Sequence, residues 1–365
     1  MFNRNSKHPI LLASLLGFSI NLTTSTGVYA EQIAAHHGAD GYVNPYAEKR
    51  KTRFFKALWS WLFTDEWQDY DPENDHVPLA EPILASGPSS NATVTWVGHS
   101  TVLIQHQGVN VLTDPMFSDR ASPFSFAGPR RFTEPALAIS ELPEVHAVVI
   151  SHDHYDHLDT RSIKALGNKP LYFVPLGLKS WFIAKGIASN RVIEMDWWDE
   201  RQIELDGTTL TITATPSQHF SGRGLTNRDE TLWAAWSIAW NDFQVWFAGD
   251  TGYNKVQFKE IGKKLGEIDL AIIPIGAYEP AAMMATVHVD PGEAIQIHQD
   301  IGAKASMAIH WGTFVLSAEG VMTPLNELEL ARQAVGINER EFAAFAIGET
   351  RFLVWRWGPA AAWRK

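Results

Sequence analysis

The sequence predicts an α/β (α+β) chain built as an αββα sandwich, two mixed β-sheets flanked by helices. Three observations point there. Strand-like runs recur in pairs around tight turns, unbroken apolar runs read as strands buried on both faces, and helical stretches fall between them rather than in one block. At 365 residues, 45% hydrophobic and 19% charged, the chain can bury one large core.

Taken in order, Arg4 and Lys7 precede an apolar stretch over 10–20, and Val28-Tyr29-Ala30 is a small-residue cleavage pattern. Residues 1–30 therefore read as a signal peptide removed near Ala30. No later run reaches the roughly 18 apolar residues of a spanning helix. The expectation is export, most simply to a bacterial periplasm, as a protein soluble or peripheral to the membrane. Residues 31–90 form an N-terminal extension. Phe54, Leu58, Trp61 and Leu62 recur at helical spacing, Phe55, Trp59 and Phe63 widen the stripe, and Lys49 to Arg53 add basic charge. Such a helix packs on the catalytic unit or lies on lipid. Residues 71–90, rich in Pro, Asp, Glu and Ser, read as a linker.

Residues 91–365 form the catalytic domain. Segments 101–104 and 109–112 flank Gln107-Gly108, 202–205 and 208–213 flank Asp206-Gly207, and 236–240 and 243–247 flank Asn241-Asp242. Buried strands are expected over 145–150 and 270–275, and helices over 160–166, 291–300 and 325–335. Asp290-Pro291 with Glu293 reads as a cap and first turn.

The chemistry starts at His152-Asp153-His154-Tyr155-Asp156-His157. Imidazoles and a carboxylate at this density serve little structural purpose, because burying them unpaired is costly. Residues two apart point the same way, so His152 and His154 close on one ion while Asp156 and His157 reach a second. Further donors stand downstream, each after an apolar strand: His219 after 209–213, Asp250 within Gly249-Asp250-Thr251-Gly252, and His310 after 306–309. One ion takes His152, His154 and His219, the other Asp156, His157 and His310, with Asp250 bridging. Either of the later histidines taken alone is more simply a satisfied or solvent-facing imidazole. The donors suit two zinc ions, with iron or manganese as alternatives.

The donor order His-x-His-x-Asp-His, then His, Gly-Asp and a final His, resembles the metallo-β-lactamase-fold hydrolases, whose αββα sandwich agrees with the predicted layers. More narrowly, Leu112-Thr113-Asp114-Pro115, Thr215-Pro216-Ser217-Gln218-His219, Ala248-Gly249-Asp250-Thr251-Gly252-Tyr253, Ile273-Pro274-Ile275-Gly276-Ala277-Tyr278-Glu279-Pro280, His288-Val289-Asp290-Pro291 and Ala308-Ile309-His310-Trp311-Gly312-Thr313-Phe314 look like the N-acyl-phosphatidylethanolamine-hydrolysing phospholipase D branch. The likeness runs from about residue 43 to about residue 352. It implies a phosphodiesterase in which a hydroxide bridging two ions attacks phosphorus, giving phosphatidate and an N-acylethanolamine. A lactonase or other phosphodiesterase of the same fold would share these donors. A non-catalytic envelope-interaction protein would not need all of them.

By the same resemblance His288 is a catalytic candidate beside Asp250, able to bond a phosphate or departing oxygen, or it simply precedes a helix. Val287 stands where the mammalian pattern carries glutamine. Asp114 and Asp159 are candidates to orient ligand imidazoles, although Asp114-Pro115 also reads as a turn start. Tyr155 and Tyr278 are candidates to line the substrate cleft. His99 carries little information, and His106, beside Gln107-Gly108, reads as a surface residue. The loop over 116–132, with Phe117, Phe124, Phe126 and Phe132, is a second candidate for contact with acyl chains.

Composition narrows partners. Cysteine is absent, which removes disulfides, a thiol nucleophile and thiolate ligands. The net charge of −11 argues against a nucleic-acid groove, local basic runs at 49–51 and 128–131 aside. The expected partner is a phospholipid or another apolar phosphodiester, with peripheral membrane contact; nothing in the sequence bears on oligomeric state.

Overall fold

The computed structural model describes residues 34–47, 70–87, 91–205, 207–224, 226–354 and 362–364. The leader over 1–30, the aromatic helix expected over most of 45–70, and Asp206 lie outside them.

A small hairpin, β1 (His37–Gly38) and β2 (Gly41–Tyr42), comes first. The first large sheet is built from β3 (Ala92–Gly98), β4 (Thr101–His106), β5 (Val109–Thr113), β6 (Ala147–Val149), β7 (Leu171–Pro175) and β8 (Val192–Met195). The second takes β9 (Glu200–Leu205), β10 (Thr208–Thr215), β11 (Ala235–Ala239), β12 (Gln244–Phe247), β13 (Ile268–Pro274), β14 (Ala303–Ile309) and β15 (Phe342–Ala344). The chain then returns, adding β16 (Thr350–Val354) beside β3 and β17 (Ala362–Arg364) beyond β16 at the edge.

Both sheets are mixed. β3 to β5 pair antiparallel and β5 to β8 parallel; β9 to β12 pair antiparallel and β12 to β15 parallel. Parallel strands cannot be joined by tight hairpins, so helices must cross between them. These are α1 (Thr160–Leu166), α2 (Lys179–Ala184), α3 (Gln257–Leu265) and α5 (Pro291–Ile301), with α4 (Ala281–Met284) leading into α5 and α6 (Thr323–Val335) before β15.

The two-residue period of a strand splits the core in two. Val102, Ile104, Val111 and Val149 point between the sheets against Ile212, Trp236, Val245 and Met307. Their neighbours Leu103, Leu112 and Val148 point outward against Ile163 of α1 and Phe182 of α2. Helix boundaries follow local chemistry. Asp159 accepts from the backbone N–H of Arg161 and Ser162 to open α1. Asp290 and Glu293 form a capping box with Pro291 at the start of α5, and Gly302 closes it at φ 69°. Among the described residues no helix is long and apolar enough to cross a membrane.

The expected hairpins at 107–108 and 241–242, the strands at 145–150 and 270–275, and the three helices all appear with boundaries shifted by a few residues. The surface reading of His106 is corrected. It is 2% exposed, its Nε2 2.9 Å from Asp242, and its ring meets Trp240 and Phe243 edge-on, because β4 packs face to face against the second sheet. In the aromatic loop, Phe124 and Phe126 are 56% and 79% exposed, whereas Phe132 stacks on Tyr70.

Candidate metal centre

Donors gather where strands end. The turn after β6 carries His152 to His157, the loop after β10 carries His219, and Asp250 and His310 follow β12 and β14. All but Asp250 and Asp156 are imidazoles, and the whole group is buried or nearly so. Ligand sites in sheet proteins form at such carboxyl ends, where backbone has left the ladder and side chains converge.

The rings are fixed from behind. His157 donates from Nδ1 to Asp114 Oδ2 at 2.7 Å. Ser151 Oγ donates to the same Oδ2 at 2.5 Å, which leaves that hydroxyl to accept from His152 Nδ1 at 2.9 Å. His219 donates from Nδ1 to the Val287 carbonyl at 2.8 Å. With each outer nitrogen protonated, the inner Nε2 of all three rings is a lone pair. These lone pairs face other ring nitrogens and carboxylate oxygens. His154 Nδ1 lies 2.8 Å from His152 Nε2 and 3.2 Å from His219 Nε2. His157 Nε2 lies 3.2 Å from both Asp156 and Asp250, and His310 Nε2 lies 3.4 and 3.2 Å from them.

Two groups result: His152, His154 and His219 in one, and Asp156, His157, His310 and His99 in the other. Asp250 touches both, its Oδ2 3.9 Å from His152 and 3.7 Å from His219 while its Oδ1 faces His310. Among the described residues, His157 Nε2, His310 Nε2 and Asp250 Oδ1 are buried without a hydrogen-bond partner. Buried acceptors converging without donors repel one another unless a cation lies between them. The residues present therefore fit a metal, and they fit it at two adjoining positions.

Electrostatics divide the rings. Burial holds the rings of His152 and His219 well below the usual imidazole range and that of His154 down to about 4, so they are neutral at ordinary pH. Burial opposes charge on His157 and His310 too, yet Asp250 and Asp156 outweigh it, raising His157 and lifting His310 to about 9. Without a cation, protons on these rings balance the carboxylates; a metal would take their place.

Backbone geometry is under strain here. His99, Asp114 and His310 have φ of 51°, 29° and 63°, a left-handed region that branched or bulky residues avoid. Two glycines permit the close approach of strand ends. A Cβ on Gly249 would stand 2.4 Å from Ser151 Cβ, and one on Gly276 would stand 2.2 Å from the His310 carbonyl oxygen.

The seven donors named from the sequence thus lie together, and Asp114 accepts from His157. His288 lies in the turn before α5, and its Nδ1, without a hydrogen-bond partner, lies 3.9 Å from Asp250 Oδ2. Burial lowers it to about 4, so it is neutral. Two expectations are corrected. Asp159 turns away from the donors to cap α1 and to accept from Ser118 and Ser162, since an unsatisfied helix start competes for it. Tyr278 is 4% exposed and its hydroxyl proton is committed to Glu327 of α6 at 2.6 Å, so its ring is packed into the protein instead of facing an open cleft. Tyr155 bonds the Arg223 carbonyl at 3.0 Å and lies under its guanidinium.

Sequence reasoning missed two residues. His99 follows β3 and lies 3.0 Å from Asp156 Oδ2; its position at a strand end beside a glycine was the same signal that marked His310. Arg223, from the loop after His219, donates to the carbonyls of Asp153 and Leu158 and so clamps the histidine run from outside.

Beside His310 a pocket is walled by Phe132, Trp311, Phe314, Leu316 and Val321. Fold and site together define a metal-dependent hydrolase with the metallo-β-lactamase architecture. A domain model described as a β-lactamase superfamily domain matches residues 109–311. The chain is 41% identical, over 71% of its own length and 75% of the relative's, to N-acyl-phosphatidylethanolamine-hydrolyzing phospholipase D 1 of Caenorhabditis elegans. The mitochondrial N-acyl-phosphatidylethanolamine-hydrolyzing phospholipase D of Saccharomyces cerevisiae is 36% identical over 73% of this chain and 57% of that protein. The chain belongs to the β-lactamase superfamily, in its N-acyl-phosphatidylethanolamine-hydrolysing phospholipase D branch. An uncharacterized protein of Mycobacterium tuberculosis is 40% identical over 70% of this chain and 68% of its own length. Among solved structures, an isothiocyanate hydrolase from Delia radicum gut bacteria aligns with a TM-score of 0.56 at 19% identity, covering 71% of this chain and 98% of that one. Igni18 of Ignicoccus hospitalis aligns at 0.52 and 20%, covering 73% and 100%. At such identities these two speak for the fold alone.

Proposed function

We propose that this chain is a dinuclear phosphodiesterase that hydrolyses N-acyl-phosphatidylethanolamine-type glycerophospholipids to phosphatidate and N-acylethanolamine. The observation that carries this is the pair of donor groups joined through Asp250, with buried nitrogen and oxygen atoms facing one another unpartnered. His152, His154 and His219 hold one cation, Asp156, His157 and His310 the other, and Asp250 serves both. Zinc suits these ligands, as do iron and manganese. When bound, such a pair supplies Lewis acidity to the phosphodiester and acidifies the attacking water.

The chain's own residues do the rest. Asp114, through His157 and through Ser151, holds ring tautomers so that lone pairs point inward. His288, a neutral ring with an unpartnered Nδ1 at the edge of the centre, hydrogen-bonds a phosphoryl oxygen or the departing ethanolamide oxygen. Exposed Phe124 and Phe126 touch the lipid surface from which the substrate comes. A leader over 1–30 delivers the protein to an exported compartment.

The test is turnover by purified, zinc-reconstituted protein of N-acyl-phosphatidylethanolamine, phosphatidylcholine and an acyl lactone, with products resolved by mass spectrometry in ¹⁸O-water. The expected result is equal amounts of phosphatidate and N-acylethanolamine, with the heavy oxygen in phosphatidate. Turnover of the lactone alone overturns the lipid assignment, and label in the ethanolamide overturns attack at phosphorus.

A further inference from the structure

We propose that His36, His37 and Asp196 form a third cation site, of the zinc class, which fastens the N-terminal hairpin to the turn joining the two large sheets. Asp196 lies between β8 and β9, where the chain leaves the first sheet for the second. His36 Nε2 stands 2.7 Å from its Oδ1 and His37 Nε2 stands 2.9 Å from its Oδ2. One ligand atom from each residue lies within 4.8 Å of the others. None of the three belongs to the catalytic groups.

Adjacent residues of an extended chain send their side chains to opposite faces. Here the chain turns into β1 so that both rings converge instead, with centroids 4.5 Å apart and planes at 90°. Each ring has its own support: His36 stacks on Trp197 at 4.1 Å, and Tyr42 meets His37 edge-on at 5.3 Å. The carboxylate is held as well, Oδ1 accepting from the Trp197 backbone N–H at 2.7 Å. Supported rings and a carboxylate oriented by its own hydrogen bond are what a metal site has behind its ligands. Two imidazoles and a carboxylate match zinc, whose ligands sit about 2.0–2.2 Å from the ion, and the 2.7 and 2.9 Å nitrogen–oxygen separations need only small side-chain rotations to open around it. The side chains of His37 and Asp196 are 32% and 26% exposed, so water completes the coordination.

The tether has a consequence for the main centre. The same hairpin pairs Tyr42 N–H with the Asp229 carbonyl at 2.8 Å and carries Asn44, whose amide donates to the His219 carbonyl at 2.7 Å. A cation at its base therefore stiffens the support of a catalytic donor without touching it.

Full-length protein, stripped with chelator and titrated with zinc, is compared with Asp196→Asn and with His37→Gln by calorimetry and elemental analysis. The expected result is one more zinc per chain in the parent than in either variant, with the remaining zinc still bound. Zinc should also raise the melting temperature of the parent further than that of the variants. Equal stoichiometry in parent and variants overturns the proposal and leaves a simple hydrogen-bonded triad. His37→Gln alters the most exposed member, so loss of folding in Asp196→Asn leaves the comparison decisive. Because the reading is a count of ions, it holds whatever substrate the catalytic centre takes.

Discussion

The donors supplied by the first sheet and those supplied by the second reach the same small volume by different means. After β6 a single turn delivers His152, His154, Asp156 and His157, and the rings of His152 and His157 are held by a side-chain relay through Asp114 and Ser151. After β10, β12 and β14 the second sheet delivers one donor per strand, each held mainly by backbone: His219 by the Val287 carbonyl, Asp250 and His310 by approaches that Gly249 and Gly276 permit. The first half is therefore written locally and is sensitive to single polar side chains. The second depends on strand register and on where backbone can come close.

Replacement of the residue common to both halves breaks the comparison altogether. Asp250→Ala should lower kcat/KM on the order of 10³-fold or more, with loss of bound zinc by elemental analysis; unchanged turnover refutes the shared role. Within the first half, Asp114→Ala strips His157 and Ser151 of their acceptor and should weaken zinc binding about 10–100-fold in chelator competition. Within the second, Gly276→Ala drives a methyl group onto the His310 carbonyl and should cost about 1–3 kcal/mol in urea unfolding, where Gly87→Ala, with open space around it, should cost less.

Within each half the donors also differ in sign with pH, His154 and His219 being lowered and His157 and His310 raised. His154, held by burial at about 4 against an ordinary 6.5, stabilises the metal-free fold above pH 6.5, and that stability is lost as pH falls towards 4. His310, lifted to about 9 by Asp250 and Asp156 against the opposing effect of burial, stabilises it below pH 6.5, and that is lost as pH rises through 9. Unfolding midpoints of chelated protein should thus fall on both sides of about pH 6.5, and His310→Gln should flatten the alkaline limb alone. The smallest expected effect is from Asn44→Ala, about 1 kcal/mol, because a single part-buried hydrogen bond is lost.

What could be read from the sequence follows the same division. The histidine run was legible because its spacing is short and its chemistry dense, and α5 because Asp290 announces its start. His99 escaped notice since a lone imidazole after a strand gains meaning only when β3 is laid beside β6 and β14. Helix α3 lacks a capping side chain at Val256 and so carried no start signal. His106 and Tyr278 were misread for one physical reason: a polar tip looks exposed in a sequence, whereas sheet-on-sheet packing buried His106 and α6 brought Glu327 to Tyr278. Arg223 could not be read at all, since its role is to bond carbonyls far along the chain.

Anomalous diffraction from crystals of the zinc-loaded protein, recorded on either side of the zinc edge, tests the central claim most directly. Two peaks about 3.5–4 Å apart, one among His152, His154 and His219, the other among Asp156, His157 and His310, with Asp250 between, are what the proposed function predicts. A single peak among these residues, or a pair that does not share Asp250, contradicts it.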